Sequence, residues 1–336
     1  MNIPGNSVKP FAWGVIGTGP VARDFTEDLQ YVMERACFVK AVLGPEGPEL
    51  QDFVDKFNVP LSYTDMQAFL EEAQVDAVFI AAPAPFRYPY AIRCLQGGVP
   101  VLCESPVALN IAQASTLTDV SNRTGVFFME GMPLRFLPSL YTVLSLLHTN
   151  KIGNIISVKA ALTGKVPMDD EGQGALPEGG ALLNFGNFPL FLSLFLLGEP
   201  DSVKAIGRVT DEGIDEYCSC LLVYPGGQYA TVECSQLADI SDEAILTGEK
   251  GTITMREQWQ EKCKGISIVI NGEITVNREC DWPGKGLQFE VSEVLRCLEA
   301  GRSESDLMTH NMSLRMAGIT EEIRKQLDVG TPVLKM

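Results

Sequence analysis

Hydrophobic positions in the first third of the chain fall in short runs that would be apolar on both faces of an extended strand. Stretches with helical spacing separate them. Phe11–Ile16, Val39–Leu43, Ala77–Ala82, Val101–Cys103 and Val126–Met129 read as buried strands, and Ala22–Val32, Leu50–Phe57, Tyr88–Gln96 and Ile111–Asn122 as the helices between them. Strand and helix alternating at this spacing predict βαβ units and a parallel, doubly wound sheet. The pattern changes after about Pro133. A helix over Leu137–His148 leads into a strand over Ile155–Leu162, and a Gly- and Asp-rich loop, Asp169–Gly180, precedes an apolar helix. From Val203 to Val276 short alternating runs are punctuated by Pro225-Gly226-Gly227, Glu249-Lys250-Gly251 and Asn271-Gly272, the signals of an antiparallel meander. Helices over Gln288–Ala300 and Asn311–Leu327 close the chain. The expected fold is α/β plus α+β: a Rossmann domain over residues 1–133, then a second domain over 134–336 on a mostly antiparallel sheet.

The 336 residues suffice for two cores. The net charge of −17 repels phosphate backbones and anionic lipid, so neither nucleic acid nor membrane is expected as a partner, whereas a small-molecule ligand is. The longest apolar stretch, Phe188–Leu197, is interrupted by Pro189 and Ser193 and falls well short of the ~20 residues of a membrane helix. Met1–Pro10 lacks a signal-peptide pattern, and nine cysteines form no disulfide framework, so a reduced, cytoplasmic protein is expected. With only His148 and His310 present, no His/Cys metal site is expected, and Cys218 and Cys220 read as residues of one sheet face.

Gly17-Thr18-Gly19-Pro20-Val21-Ala22 is a G-x-G-x-x-A sequence that follows the first strand and opens the first helix. The first glycine permits the tight turn, the second lets the backbone approach a pyrophosphate, and Ala22 keeps helix and strand close; the helix terminus adds partial positive charge. Dinucleotide binding is the expectation and a merely tight turn the alternative. At the end of the second strand, where an acid would hold the ribose or an Arg a 2′-phosphate, the chain reads Leu43-Gly44-Pro45-Glu46-Gly47. NAD and NADP therefore both stay open, and binding is expected to be weak or lost.

Further stretches carry a family resemblance: Val78-Phe79-Ile80-Ala81-Ala82-Pro83, Ala91-Ile92, Gly97-Gly98, and Val101-Leu102-Cys103-Glu104-Ser105-Pro106. Met129-Glu130-Gly131, Arg135-Phe136 and Gly179-Gly180-Ala181-Leu182-Leu183 extend it. The chain resembles the glucose–fructose oxidoreductase/inositol dehydrogenase (Gfo/Idh/MocA) family over nearly its whole length, and within it the dimeric dihydrodiol dehydrogenase-like members. The resemblance implies hydride exchange between a nicotinamide and a sugar, polyol or diol, with cofactor contacts at Gly17, Thr18, Gly19, Pro20, Val21, Ala82, Pro83, Glu104 and Ser105. It also implies a homodimer or dimer of dimers. The family's Glu-Lys-Pro signature has its lysine at Ser105 here, its aspartate falls on Asn184, and its His or Tyr on Phe188. Cation, anion and proton-transferring atom are all replaced, so the usual dehydrogenase activity is expected to be impaired.

Lys165, at the end of a strand, is a candidate replacement cation, and Asp169, Asp170 and Glu171 form an acidic loop that reads as a solvated run. Arg87 and Arg135 are candidates for a bidentate anion clamp. Trp282 is a candidate aromatic wall, and Asn184 and Phe188 complete the substrate side. Cys103 reads as packing and Tyr217 and Tyr224 as sheet residues. Three functions follow: a divergent NAD(P)-dependent oxidoreductase, a catalytically silent ligand-binding or sensor protein, and a non-redox lyase or isomerase using the arginine clamp.

Overall fold

The computed structural model describes residues 9–164, 179–237 and 242–329. The first six strands are β1 (Phe11–Ile16), β2 (Cys37–Leu43), β3 (Leu61–Tyr63), β4 (Ala77–Ile80), β5 (Val101–Glu104) and β6 (Phe128–Gly131). They form one parallel sheet in the order β3-β2-β1-β4-β5-β6. The order reverses between β1 and β4, and in sheets of this kind the crevice beyond the carboxyl ends at that point receives the ligand. All six β1 residues are buried, because helices cover both faces of the sheet. Trp13 meets Phe25 edge-on at 5.2 Å, and Phe25 stacks on Phe79 at 4.0 Å, which ties β1, the first helix and β4 into one core.

The helices differ from expectation mainly at their ends. Helix α1 spans Pro20–Asp28, not Ala22–Val32: Pro20 has the fixed φ of a first helical position, and Leu29–Tyr31 tightens into a 3-10 turn. Helix α2 spans Pro48–Phe57, and α3, Met66–Glu72, is a helix the apolar pattern left unmarked; Asp65 caps it by accepting from the Ala68 amide at 2.8 Å. Helix α4 begins at Ala84, four residues before the expected Tyr88, and runs to Gln96 with Pro89 inside it. Helix α5 is Ile111–Thr124 and α6 Pro138–His148.

The second sheet has eight strands: β7 (Ile155–Thr163), β8 (Ser202–Val209), β9 (Asp215–Val223), β10 (Tyr229–Ser235), β11 (Glu243–Gly248), β12 (Thr252–Arg256), β13 (Gly265–Ile270) and β14 (Glu273–Arg278). Their order is β14-β13-β12-β11-β7-β10-β9-β8. The expected uninterrupted meander is thus corrected: β7 lies between β10 and β11, and its pairing with β10 is parallel. Turn signals between neighbouring runs reveal hairpins, but they carry no information about a strand inserted from earlier in the chain. Helices α7 (Gly180–Phe185) and α8 (Asn187–Leu197) lie over β7, β9 and β10. The Sγ atoms of Cys218, Cys220 and Cys234 cluster on the buried side of this sheet, with Cys218 3.3 Å from Cys234. No metal-binding group occurs among the described residues.

After β14 the chain returns to the first sheet. Helix α9 (Leu287–Glu299) packs on α1, and α10 (His310–Gln326) on α5. Asp28, at the end of α1, accepts from the backbone amides of Lys285, Gly286 and Leu287 at 2.9 to 3.0 Å, so a residue 257 positions earlier caps α9. Ser303 O accepts from Phe128 N at 2.9 Å, and Glu321 accepts from Ile111 N at 3.0 Å. These bonds fix the two units around one cleft.

Candidate functional site: the cleft between the two units

The loop after β1 is shaped by its backbone. Gly17 has φ of +111°, and a Cβ there would lie 2.5 Å from the Ala81 carbonyl oxygen, so only glycine lets the end of β1 pass the end of β4. Gly19 is the N-cap of α1, with no side-chain cap and nothing within 4 Å of where its Cβ would stand. The amides of the first helical turn therefore face an open cradle with the positive end of the helix dipole behind them. Ala82 and Pro83 lie where β4 passes into α4, and Glu104 ends β5. The sequence-predicted cofactor residues thus share the carboxyl edge of the sheet. A dinucleotide pyrophosphate fits this donor set.

At the ribose end the only charges in the turn from Gly44 to Glu49 are Glu46 and Glu49. Arg23, on α1, pairs with Asp52 of α2 at 2.7 Å and donates to Thr18 O at 3.1 Å. This subsite suits ribose hydroxyls better than a 2′-phosphate.

Beside the loop lies a cleft of about 180 Å³, lined from the first unit by Val21, Asp24, Arg87, Glu104 and Ser105 and from the second by Asn184, Phe188, Lys285 and Glu290 among others. Asn184 is tethered by its own Nδ2, which donates to Gly180 O at 2.8 Å. Phe188 presents a ring with no exchangeable proton. Ser105 is turned away from free chemistry: its hydroxyl donates to Glu130 Oε1 at 2.7 Å, on a carboxyl that burial pushes above its ordinary range. Cys103 is fully buried, which raises its thiol well above the usual value and bears out its reading as packing.

The arginine clamp does not form. Arg87 borders the cleft, but Nε donates to Ala82 O at 2.7 Å, Nη1 to Ser105 O at 2.6 Å, and Nη2 to Glu104 Oε2 at 2.7 Å. It joins the ends of β4 and β5, and it offsets the burial that raises the Glu104 carboxyl. Arg135 lies outside the cleft: its guanidinium sits over Phe195 at 4.8 Å and Tyr141 at 5.8 Å, and Nε donates to Leu307 O. Trp282 is also corrected. Its ring is 7% exposed and packs edge-on to Phe289, so the loop offers the cleft Lys285 in place of an aromatic wall. Lys165 and the acidic loop Asp169, Asp170 and Glu171 lie outside the described residues.

Glu290 was absent from the sequence candidates. It is 1% exposed, in the first turn of α9, and its Oε2 is buried without a partner. Burial, with the Glu104 and Asp28 carboxylates nearby, pushes it up to about 8. A signal existed: Glu290 falls on the buried stripe of its helix, with Leu287 three residues before, Val291 next and Val294 four after.

With fold and cleft in view, the chain is a two-domain oxidoreductase by architecture. Residues 11–132 match the oxidoreductase family with an NAD-binding Rossmann fold, and residues 141–254 match the C-terminal domain of the same Gfo/Idh/MocA family, so the chain belongs to that family. It is 29% identical over 332 residues to trans-1,2-dihydrobenzene-1,2-diol dehydrogenase of Mus musculus, covering 95% of this chain and 98% of that one. The Homo sapiens enzyme of the same name is 26% identical over 330 residues, with 95% and 98% covered. Among solved structures, a 3-ketoreductase from Actinomadura kijaniata with TDP-benzene and NADP superposes with a TM-score of 0.81 at 22% identity, covering 95% of this chain and 98% of that one. An aldose-aldose oxidoreductase from Caulobacter crescentus complexed with glycerol does so at 0.82 and 19%, with the same coverage.

Proposed function

We propose that the protein is an NAD(P)-dependent oxidoreductase of a small polar, uncharged ligand of the sugar, polyol or diol class, working without the family's usual proton-transferring set. The observation that carries this reading is that Val21, in the uncapped first turn of α1 that the glycine loop opens, lines the same cleft as Asn184 and Phe188. A bound nicotinamide would supply hydride transfer. Gly17, Thr18, Gly19, Pro20 and Val21 would hold its pyrophosphate, with Ala82, Pro83 and Glu104 alongside. Ser105, Asn184 and Phe188 stand where the family resemblance puts lysine, aspartate and His or Tyr. None of the three moves a proton readily at neutral pH, so unassisted turnover by the usual route is slow.

The relatives' names support the substrate class, and the charges of the β2–α2 turn favour NAD over NADP. The silent-binder reading shares every feature of the loop and differs only in turnover. The lyase or isomerase reading rested on a clamp of Arg87 and Arg135, and it loses its support with Arg135 packed on Phe195. The outer face of the second sheet exposes Ile206, Tyr217, Leu221 and Tyr229, which favours a homodimer or dimer of dimers through that face. No helix among the described residues is long and apolar enough to cross a membrane, and the nine unbridged cysteines favour the cytoplasm. Calorimetric titration with NADH and NADPH tests the reading. Micromolar binding of either supports it, and no binding at millimolar concentration rejects it.

A further inference from the structure

We propose that Glu290 is the proton donor and acceptor of this cleft, serving an uncharged carbonyl or hydroxyl substrate in the place left by the family's lysine and tyrosine. The proposal rests on the oxidoreductase reading and adds to it the group that handles the proton.

Geometry carries the argument. Glu290 is buried and lines the cleft, and its buried Oε2 has no partner. Oε2 lies beside Gly131 of β6, near the end of β5. The helix that carries Glu290 is fixed by Asp28, whose carboxylate accepts three amides at its start. A buried carboxyl with one unpartnered oxygen is costly unless it stays protonated or meets a ligand.

The charged groups around it bear this out. Glu104 faces it from β5 and Asp28 from α1, and both oppose a second negative charge. Asp24 on α1, Glu261 and Lys285 on loops and Arg87 on α4 also line the cleft, and Arg87 is already paired with Glu104. Glu130, on β6, is bonded to Ser105, and Glu293, the next acid of α9, is paired with Arg296 at 2.7 Å. Four carboxyls against one guanidinium already paired and one lysine exclude an anionic substrate. Among the acids and bases that line the cleft, Glu290 alone has a buried side-chain atom without a partner among the described residues.

In the reducing direction the carbonyl carbon receives a hydride, the C=O π pair becomes an oxygen lone pair, and the O–H bond of Glu290 breaks as its proton passes to that oxygen. The alcohol, oxidised nicotinamide and the Glu290 carboxylate remain, and the carboxylate takes its proton back from solvent. Oxidation is the reverse, with the carboxylate accepting the hydroxyl proton.

The test uses the full chain, its Glu290→Gln and Glu290→Asp variants, NADH, and a panel of neutral carbonyls headed by dihydroxyacetone and 2,3-butanedione. Isotope-edited infrared spectra between pH 5 and 10 read the carboxyl directly. A protonated band that persists at pH 7 and vanishes in Glu290→Gln is expected, and its absence from the wild type overturns the proposal. For turnover, Glu290→Gln is expected to lose about 10² to 10⁴ in rate, with NADH affinity within twofold of wild type and Glu290→Asp in between. Wild-type reduction should fall as pH rises through the titration of the band, and that limb should vanish in the Gln variant. Intact NADH binding with Glu290→Gln reducing at the wild-type rate, or NADH binding with no turnover on any carbonyl, overturns the proposal alone. Failure of the wild type to bind NADH or NADPH overturns the oxidoreductase reading, and this role of Glu290 with it.

Discussion

The loop between β1 and α1 and the wall formed by α7, α8 and α9 face the same cleft, but they are built from different materials. The loop works through backbone: Gly17 at φ +111°, an uncapped helix start at Gly19, and open space above it. Its function depends on almost no side-chain atom. The wall works through side chains, and there the groups the family resemblance leads one to expect are missing at Ser105, Asn184 and Phe188. Backbone-built anion cradles survive sequence change because glycine sterics alone preserve them. Proton transfer needs particular atoms, so it can be lost, or moved to another residue, while the scaffold stays in place.

The sharpest way to break this comparison is to damage the loop alone. Gly17→Ala would put a methyl 2.5 Å from Ala81 O at a φ that disfavours alanine. Thermal melts should show a loss of about 3 kcal/mol, and calorimetry should show cofactor affinity falling more than tenfold. On the wall, Asp28→Ala strips the start of α9 of its acceptor and leaves the Lys285 and Leu287 amides unpaired, while Gly286 keeps Gln288 Oε1. A loss of about 2 to 3 kcal/mol in urea unfolding is expected.

Restoring the wall sharpens the contrast in the other direction. Ser105→Lys with Asn184→Asp and Phe188→Tyr should raise polyol or diol oxidation about 10²-fold or more, with cofactor affinity little changed. No gain in a folded variant would mean that the wall has been reshaped as well as stripped.

A smaller effect concerns the support of α7. Asp215 accepts from the Leu182 amide at 2.6 Å and crowds Gly180, where a Cβ would lie 2.0 Å from Oδ1. Burial pushes its carboxyl from 3.8 up to about 6, so the native state holds this proton longer than the unfolded chain does. Its contribution is fully present below about pH 4 and is lost as pH rises through 6. Asp215→Asn keeps the acceptor and removes the titration. Its melting temperature relative to wild type should therefore rise between pH 4 and 6, by an amount equivalent to about 2 kcal/mol. Smallest is cofactor choice: with Glu46 and Glu49 in the ribose turn and Arg23 tied to Asp52, NADH should bind about tenfold more tightly than NADPH, about 1.4 kcal/mol. Equal affinity would show that these acids do not face the ribose.

Much of the first sheet was legible because β1, β4 and β6 are buried on both faces, and an apolar run bounded by turn residues signals that locally; the short, partly exposed β3 carries no such run. The phosphate loop was legible because its determinants, Gly17, Gly19 and Ala22, fall within six residues of the chain. The insertion of β7 between β10 and β11 was not, since hairpin signals describe only neighbours in sequence. Arg87 and Arg135 looked alike as cations at strand ends, yet one is consumed by the carbonyls of Ala82 and Ser105 and the other by two aromatic rings.

By itself, then, the chain determined where strands and helices form, which of their faces are buried, and where an anion can meet the backbone, because periodicity and glycine sterics act over a few residues. Only the tertiary structure decided what each buried polar group meets. Asp28 finds its amides 257 residues away, and Glu290 comes to rest beside Glu104 and Gly131 with one oxygen facing no partner. A pattern of polar and apolar positions specifies burial, but the partner that makes a buried charge structural or reactive comes from elements distant in sequence.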